Sequence, residues 1–261
     1  MDVMSLNPRI RDWRGKRVWI IGASSGIGAA LASALLAQGA QLALSARSIP
    51  GMAQIAATPG ANTLVLPLDV TDAASVSPAL GRIVAAWGGI DLVVWCAGSH
   101  HPVRAWELDA ASARSLVEVN LNGVINGLPA VVERLLQQHS GGIAIVSSVA
   151  GYGGLPTALV YGATKAALIN LAETLYLDLA PRGIGVYLIN PGFVKTPLTD
   201  RNTFRMPALI SADEAAREII AGFARGSFEI HFPRRFTQWL KLLRLLPYRW
   251  YFALVRKGTG M

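Results

Sequence analysis

Short apolar segments alternate with amphipathic segments of helical period along this chain, and this alternation limits the folds it can adopt. Parallel strands joined by helices need right-handed crossovers, which give a sheet covered by helices on both faces. We therefore predict an α/β fold, a doubly wound parallel sheet in three α/β/α layers. Strands are predicted at 17–21, 41–46, 62–66, 90–96, 143–147, 185–189 and 228–232, and helices at 26–38, 72–87, 112–138, 159–180 and 212–224.

Two long uncharged stretches, 18–46 and 140–164, invite an interpretation as membrane spans. Glycines interrupt both, so we assign them to buried parallel strands, which are apolar on both faces. Of the 261 residues, 52% are hydrophobic, which excludes a disordered chain. The single cysteine, Cys96, excludes a disulfide framework, and no metal site is predicted. We expect one domain over residues 1–232.

Positive charge is concentrated at the C-terminal end. The formal net charge is +8, and the chain from Arg225 onward holds eight Lys or Arg residues but a single acid, Glu229. The rest is nearly neutral, which argues against nucleic-acid binding. Residues 233–261, called the tail here, interleave aromatic and leucine residues with basic ones, and Pro247 should divide them into two helices. The tail is interpreted either as a lid over the pocket or against a partner subunit, or as a contact with an anionic membrane.

A loop of small residues follows the first predicted strand and opens the first helix, with glycines in a GxxxGxG pattern. Such a loop lets backbone N–H groups approach a diphosphate at the helix N-terminus. The alternative is a strand-to-helix turn that merely needs glycine. The candidate cofactor contacts in this loop are Gly22, Ser24, Ser25, Gly26, Ile27 and Gly28.

The ends of the second and third strands carry candidate groups for the rest of a dinucleotide. Arg47 and Ser48 stand where an acid would bind the ribose of NAD, and an arginine there can pair with the 2′-phosphate of NADP. A solvated arginine is the alternative. Asp69, which precedes Val70, either accepts a hydrogen bond from adenine or serves as a turn residue.

Tyr161 and Lys165 are spaced i, i+4 at the start of a predicted helix and therefore share one face. A phenol titrates near 10 in water, and a neighbouring ammonium should lower its pKa toward the range of an acid/base catalyst. Ser148 follows the fifth strand, where its hydroxyl could hold a substrate carbonyl; a turn hydroxyl is the alternative.

Together these motifs resemble the short-chain dehydrogenase/reductase family, in its compact type built on a Rossmann fold. The resemblance runs over roughly residues 17–230 and depends on the order of all six motifs. The sequence departs from the family pattern at Cys96, usually Asn, and at Ile21, usually Thr; we expect altered local hydrogen bonding there and retained activity. The motifs occupy residues 22–28, 96–98, 120–123, 147–151, 161–165 and 191–196.

The resemblance implies a catalytic set of Asn120, Ser148, Tyr161 and Lys165, with Tyr161 as the acid/base. Asn120 would hold a water that relays protons to Lys165, and we expect a local helix distortion around this asparagine. Val194 and Thr196 would meet the nicotinamide amide. The remaining cofactor contacts implied by these motifs are Val70, Ala97, Gly98, Pro191 and Gly192.

The resemblance further implies an oxidoreductase that interconverts a secondary alcohol and a ketone or aldehyde. Arg47 and the absence of an acid beside it predict a preference for NADP(H) over NAD(H), and both interpretations of the tail favour an apolar substrate. The alternative is a catalytically silent dinucleotide-binding sensor or scaffold of the same fold. A homodimer or homotetramer formed through the helices at 112–138 and 159–180 is expected. We expect a cytoplasmic protein, with peripheral contact to the inner membrane face if the tail binds lipid.

Overall fold

A computed structural model describes residues 5–202, 204 and 206–259 of the chain. One sheet of seven parallel strands forms its centre, in the order β3-β2-β1-β4-β5-β6-β7. The predicted doubly wound α/β fold is therefore confirmed. The strands are β1 Arg17–Ile21, β2 Gln41–Ser45, β3 Thr63–Val65, β4 Leu92–Trp95, β5 Gly142–Val146, β6 Gly185–Pro191 and β7 Glu229–Phe232.

The helices lie on both faces of this sheet. Of the five helices predicted within residues 1–232, four are present as single helices and the one at 112–138 is divided; the structure adds α2. The helices are α1 Gly26–Leu36, α2 Pro50–Ala56, α3 Ala73–Trp87, α4 Ala110–Val117, α5 Gly123–Ile125, α6 Leu128–Gln138, α7 Leu159–Leu179, α8 Ala212–Arg225, α9 Arg234–Arg244 and α10 Tyr248–Thr259.

The uncharged runs become strands that are buried on both faces. In β1, Val18 and Ile20 pack into the core under α1, α2 and α8, whereas Trp19 and Ile21 pack into the core under α3, α6 and α7. Alternate side chains of one strand point to opposite faces, so each strand needs apolar residues at every position. No helix within the described residues is long and apolar enough to cross a bilayer.

The helix predicted at 112–138 is the largest departure from expectation. It is interrupted by a π-helical turn, Glu118–Asn122, and again near Gly127, before α6 begins with Pro129 in its first turn. A Cβ at Gly127 would lie 2.9 Å from the Trp95 ring, so the close approach of helix to sheet requires glycine there. The π-helical turn contains Asn120, which is the distortion that the sequence predicts.

Predicted helix ends are observed at three places. The Asp72 side chain accepts a hydrogen bond from the Ala74 N–H and caps α3. Ser211 and Glu214 form a reciprocal capping box at the start of α8. Pro247 separates α9 from α10, because proline cannot donate the backbone hydrogen bond that a continuous helix needs.

Candidate active site

A cleft of about 530 Å³ opens at the carboxyl ends of the central strands, where the strand order reverses between β1 and β4. Open parallel sheets place their ligand sites at this position. Its wall contains every predicted site residue except Gly28 and Asn120: Gly22, Ser24, Ser25, Gly26, Ile27, Arg47, Ser48, Asp69, Val70, Ala97, Gly98, Ser148, Tyr161, Lys165, Pro191, Gly192, Val194 and Thr196.

The glycine-rich turn presents an open helix N-terminus to the cleft. Ser25 is the N-cap of α1, but its side chain accepts no hydrogen bond from the first turn of the helix. Gly22 has a φ of +97°, and a Cβ there would lie 2.4 Å from the Ala97 backbone nitrogen. Gly28 packs against the Gly22 carbonyl, so its role is to bring the helix close to the turn. The N–H groups in the first turn of α1, which have no acceptor within the helix, suit an anion.

The far end of the cleft carries the candidate ribose and adenine contacts. Arg47 and Ser48 are exposed just after β2, as expected for groups that meet a ligand from solvent. Asp69 Oδ1 accepts hydrogen bonds from the Thr71 N–H, at 3.0 Å, and from the Thr71 hydroxyl, at 2.9 Å. These bonds, with a smaller contribution from the Arg47 charge, lower the Asp69 pKa. The Asp69 side chain therefore stabilises the turn that leads to Thr71, and it also lines the cleft.

Ser148, Tyr161 and Lys165 meet at the other end. The Lys165 Nζ lies 5.7 Å from the centroid of the Tyr161 ring and donates a hydrogen bond of 2.9 Å to the Val146 carbonyl. Burial lowers the pKa of Lys165 to about 8. Burial raises the pKa of Tyr161, and the Ser148 hydroxyl acts in the opposite direction. The expected lowering of the tyrosine pKa by the lysine is therefore absent from this structure, because desolvation of the phenolate dominates.

Asn120 holds the loop after β4 from behind the cleft. Its Oδ1 accepts from the Ser99 N–H at 2.7 Å, and its Nδ2 donates to the Ser99 carbonyl at 2.9 Å. The same Nδ2 donates to the Thr164 hydroxyl at 3.2 Å, on the first turns of α7. The buried Asn120 side chain thus fixes the backbone on which Ala97 and Gly98 face the cleft.

The segment after β6 forms part of the cleft wall. The Thr199 hydroxyl donates to the Val194 carbonyl at 2.6 Å, and the Thr196 N–H donates to the Thr199 hydroxyl at 3.0 Å. A Cβ at Gly26 would lie 3.0 Å from the Thr196 methyl group, so this loop sits against the glycine-rich turn. Thr199 was not predicted; its signal in the sequence is only a hydroxyl that follows the 191–196 motif.

His100, which follows the Ala97–Gly98 turn, lies beside Tyr161. Its buried ring lies 4.4 Å, centroid to centroid, from Tyr161, and its Nε2 lies 3.2 Å from Asn202 Oδ1. Its Nδ1 is buried with no hydrogen-bond partner in the described structure. Burial lowers the pKa of His100, which favours the neutral ring. A neutral ring nitrogen beside Tyr161 can accept a hydrogen bond from a ligand.

The two departures from the family pattern, Cys96 and Ile21, both line the cleft. Cys96 lies at the base of the cleft, where burial raises its pKa to about 11 and the Gly28 N–H interacts with its sulfur. The Cys96 N–H donates to the Ile21 carbonyl at 2.8 Å, so the backbone link between β1 and β4 is retained. Within residues 5–202, 204 and 206–259, no group of three or more His, Cys, Asp or Glu residues could hold a metal ion.

The comparisons with known proteins agree with this geometry. The family model for short chain dehydrogenases matches residues 16–205. The chain belongs to this family. An uncharacterized oxidoreductase of Myxococcus xanthus is 33% identical over 241 residues, which cover 91% of this chain and 95% of the relative. The 3-oxoacyl-[acyl-carrier-protein] reductase of Escherichia coli is 35% identical over 188 residues, which cover 72% of this chain and 77% of that protein. This short-chain dehydrogenase is therefore an oxidoreductase.

Solved structures show the same relationship. A short chain dehydrogenase/reductase from Burkholderia phymatum in complex with NAD has a TM-score of 0.82 and 26% identity, covering 89% of this chain and 94% of that one. A short-chain type dehydrogenase/reductase from Mycobacterium marinum has a TM-score of 0.76 and 27% identity, covering 84% and 94%. The Rossmann fold of this dehydrogenase is thus shared with its family.

Proposed function

We propose that the protein is an NADP(H)-dependent oxidoreductase that interconverts a secondary alcohol and a ketone or aldehyde, with Tyr161 as the acid/base. The observation that carries the proposal is the single cleft in which the glycine-rich turn and Arg47 lie at one end and Ser148, Tyr161 and Lys165 at the other. Residues 1–232 would be the catalytic domain and the tail an extension of it.

The residues present fit a dinucleotide. The uncapped N-terminus of α1 and the close approach of Gly22 to Ala97 leave room for a diphosphate beside backbone N–H groups. Arg47 can pair with a 2′-phosphate, and no acid occupies the position after β2 that would repel one. Lys165, Val194 and Thr196 would hold the nicotinamide riboside end. When bound, the cofactor supplies the hydride.

Each side chain at the proposed nicotinamide end would have a separate role in the reaction. Tyr161 would donate a proton to the substrate oxygen in reduction and accept it in oxidation. Ser148 would hold that oxygen by a hydrogen bond as negative charge develops on it. Lys165, whose pKa lies at about 8, would exchange a proton near neutral pH. Asn120 would keep the Ala97–Gly98 wall in place, and a water beside it would complete the proton path.

An apolar carbonyl compound is the proposed substrate class. Leu198, Pro197 and Val119 line the cleft, and Phe193 packs against Phe204 on the segment after β6. The Escherichia coli relative is a 3-oxoacyl-[acyl-carrier-protein] reductase, which makes 3-oxoacyl thioesters sensible members of a test panel.

A coupled assay with carbonyl substrates tests the proposal. We expect NADPH oxidation that depends on the carbonyl compound, on a panel of aliphatic ketones, aldehydes and 3-oxoacyl thioesters. Binding of NADPH with no turnover of any panel member in either direction would instead indicate the sensor or scaffold.

Arg47→Ala should remove most of the preference for NADPH. A charge-assisted hydrogen bond contributes about 1.5–3 kcal/mol, so the Kd for NADPH should rise roughly 10- to 150-fold while that for NADH stays the same. Isothermal titration with both cofactors measures this, with the exposed Arg82→Ala as the matched control. Equal affinity of the unaltered protein for the two cofactors would contradict the assignment of Arg47.

We also propose self-association through the faces of α4 to α7. Leu177 on α7 is 71% exposed, an apolar side chain with no cover in a single copy. Sedimentation velocity at micromolar concentration should show a dimer or tetramer, and Leu177→Lys should shift it toward monomer. A monomer of the unaltered chain at that concentration would refute this proposal.

A further inference from the structure

The inner side of the tail is fixed to the body of the protein. The Tyr251 hydroxyl donates to the Gly154 carbonyl at 2.8 Å, and Lys241 forms an ion pair with Glu229 of β7. The Thr237 hydroxyl lies 2.6 Å from His231 Nδ1. These contacts lie beside the segment that follows Ser148. No described tail residue lines the cleft, so the tail lies beside the cleft and does not cover it.

The outer side of the tail is apolar and exposed. Trp239 is 68% exposed, Trp250 is 61% exposed and Leu245 is 80% exposed. Large apolar side chains of this kind are buried in most soluble proteins unless they contact a partner. The exposed apolar residues of the tail, which on α10 flank the buried Tyr251 on both sides and are together called the outer face here, are Trp239, Leu242, Leu245, Leu246, Tyr248, Trp250, Phe252 and Leu254.

Positive charge surrounds the outer face. Residues 233–261 contain seven Lys or Arg residues and no Asp or Glu. Lys241 is paired with Glu229 on the inner side, whereas the exposed Arg249, Arg256 and Lys257 lie on α10 with the aromatic residues. The Arg244 guanidinium lies 5.5 Å from the centroid of the Tyr248 ring, so basic and aromatic groups meet where α9 passes into α10.

We propose that the outer face docks the protein onto an anionic membrane surface. Tryptophan and tyrosine rings with neighbouring cations are suited to the headgroup region, where rings enter the interface and cations meet lipid phosphates. The 12 residues of α10 span about 18 Å, less than a hydrocarbon core of about 30 Å, so the helix lies in the plane of the interface.

The positive charge of the tail favours a lipid surface over a second copy of the chain as the partner of the outer face. A two-fold contact brings the same patch of both copies together, so the tail cations would face one another with no acid from the tail to neutralise them. Anionic lipid headgroups would supply the negative charge that the tail of a second copy lacks. Because the inner side packs beside residues 149–155, docking would hold the segment after Ser148 close to the membrane.

Co-sedimentation of the full chain with lipid vesicles tests the proposal. We expect binding to vesicles of mixed phosphatidylcholine and phosphatidylglycerol, no binding to phosphatidylcholine alone, and weaker binding at high salt. Arg249→Gln/Arg256→Gln/Lys257→Gln should weaken binding on the order of a hundredfold, since each cation near an anionic surface contributes about fivefold. Trp239→Ser/Trp250→Ser should also weaken it.

Matched control variants distinguish an effect of the outer face from a general effect of removing charge or an exposed tryptophan. Arg11→Gln/Arg82→Gln/Arg114→Gln removes the same charge from exposed positions elsewhere, and Trp106→Ser removes a tryptophan that is 79% exposed. Both controls should bind vesicles as the unaltered protein does. Absence of binding to anionic vesicles at low salt would overturn the proposal. Undiminished binding by both tail variants, or tail variants that change only the oligomeric state, would also overturn it.

Discussion

Tyr161→Phe should lower kcat by about 10²- to 10⁴-fold while the Kd for NADPH remains unchanged. The substitution keeps the ring that packs against His100 at a centroid distance of 4.4 Å and removes only the hydroxyl. The proton donor would therefore be lost while the walls of the cleft remain intact. Steady-state kinetics with the best substrate of the panel, together with fluorescence titration of NADPH, measures both quantities.

Tyr176→Phe is the matched control, because Tyr176 lies on the same helix and its hydroxyl bonds the Leu6 carbonyl, away from the cleft. Its kcat should equal that of the unaltered enzyme. Near-normal turnover by Tyr161→Phe would show that another group transfers the proton.

Gly22→Ala should destabilise the protein by about 3 kcal/mol or more and abolish cofactor binding. The backbone φ of +97° strains any L side chain, and the added Cβ would lie 2.4 Å from the Ala97 nitrogen, a backbone atom that cannot turn aside. The β1 turn would have to separate from the loop after β4, where the candidate diphosphate site lies. Thermal unfolding should show a Tm lower by roughly 5–10 °C.

Gly15→Ala is the control that separates backbone strain from the steric clash of an added Cβ. Gly15 has a similar positive φ of +69°, but an added Cβ there meets no other atom within 4 Å. This control should cost about 1 kcal/mol and leave NADPH binding intact. If the two substitutions destabilise the protein equally, the close approach of Gly22 to Ala97 is not what the turn requires.

The features that were predictable from the sequence depend on short, local patterns. The apolar run of β1 followed by the glycine-rich turn predicts both a buried strand and an open helix N-terminus, because both follow from neighbouring residues. The i, i+4 spacing of Tyr161 and Lys165 predicts a shared helix face in the same way, and both line the cleft. Asn120 entered through the family motif at 120–123; because asparagine is unfavourable within a helix, a distortion was expected there, and the π-helical turn contains it.

Features that depend on distant contacts were not predictable from one sequence. The helix break at Gly127 is set by the Trp95 ring of β4, far away along the chain. His100 and Asn202 come within 3.2 Å only because the loops after β4 and β6 meet above the sheet. The pKa of Tyr161 was expected to fall, but its burial, which depends on the whole fold, raises it.

The two hydrogen bonds between the Asn120 side chain and the Ser99 backbone have a consequence for affinity. They are made by a buried side chain of the protein, so the Ala97–Gly98 strip is ordered before any nucleotide arrives. A loop that must be immobilised during association loses conformational entropy, and this loss subtracts from the free energy of binding. Here that loss is already incurred when the chain folds, and contacts made to a nucleotide along this strip contribute to its affinity undiminished.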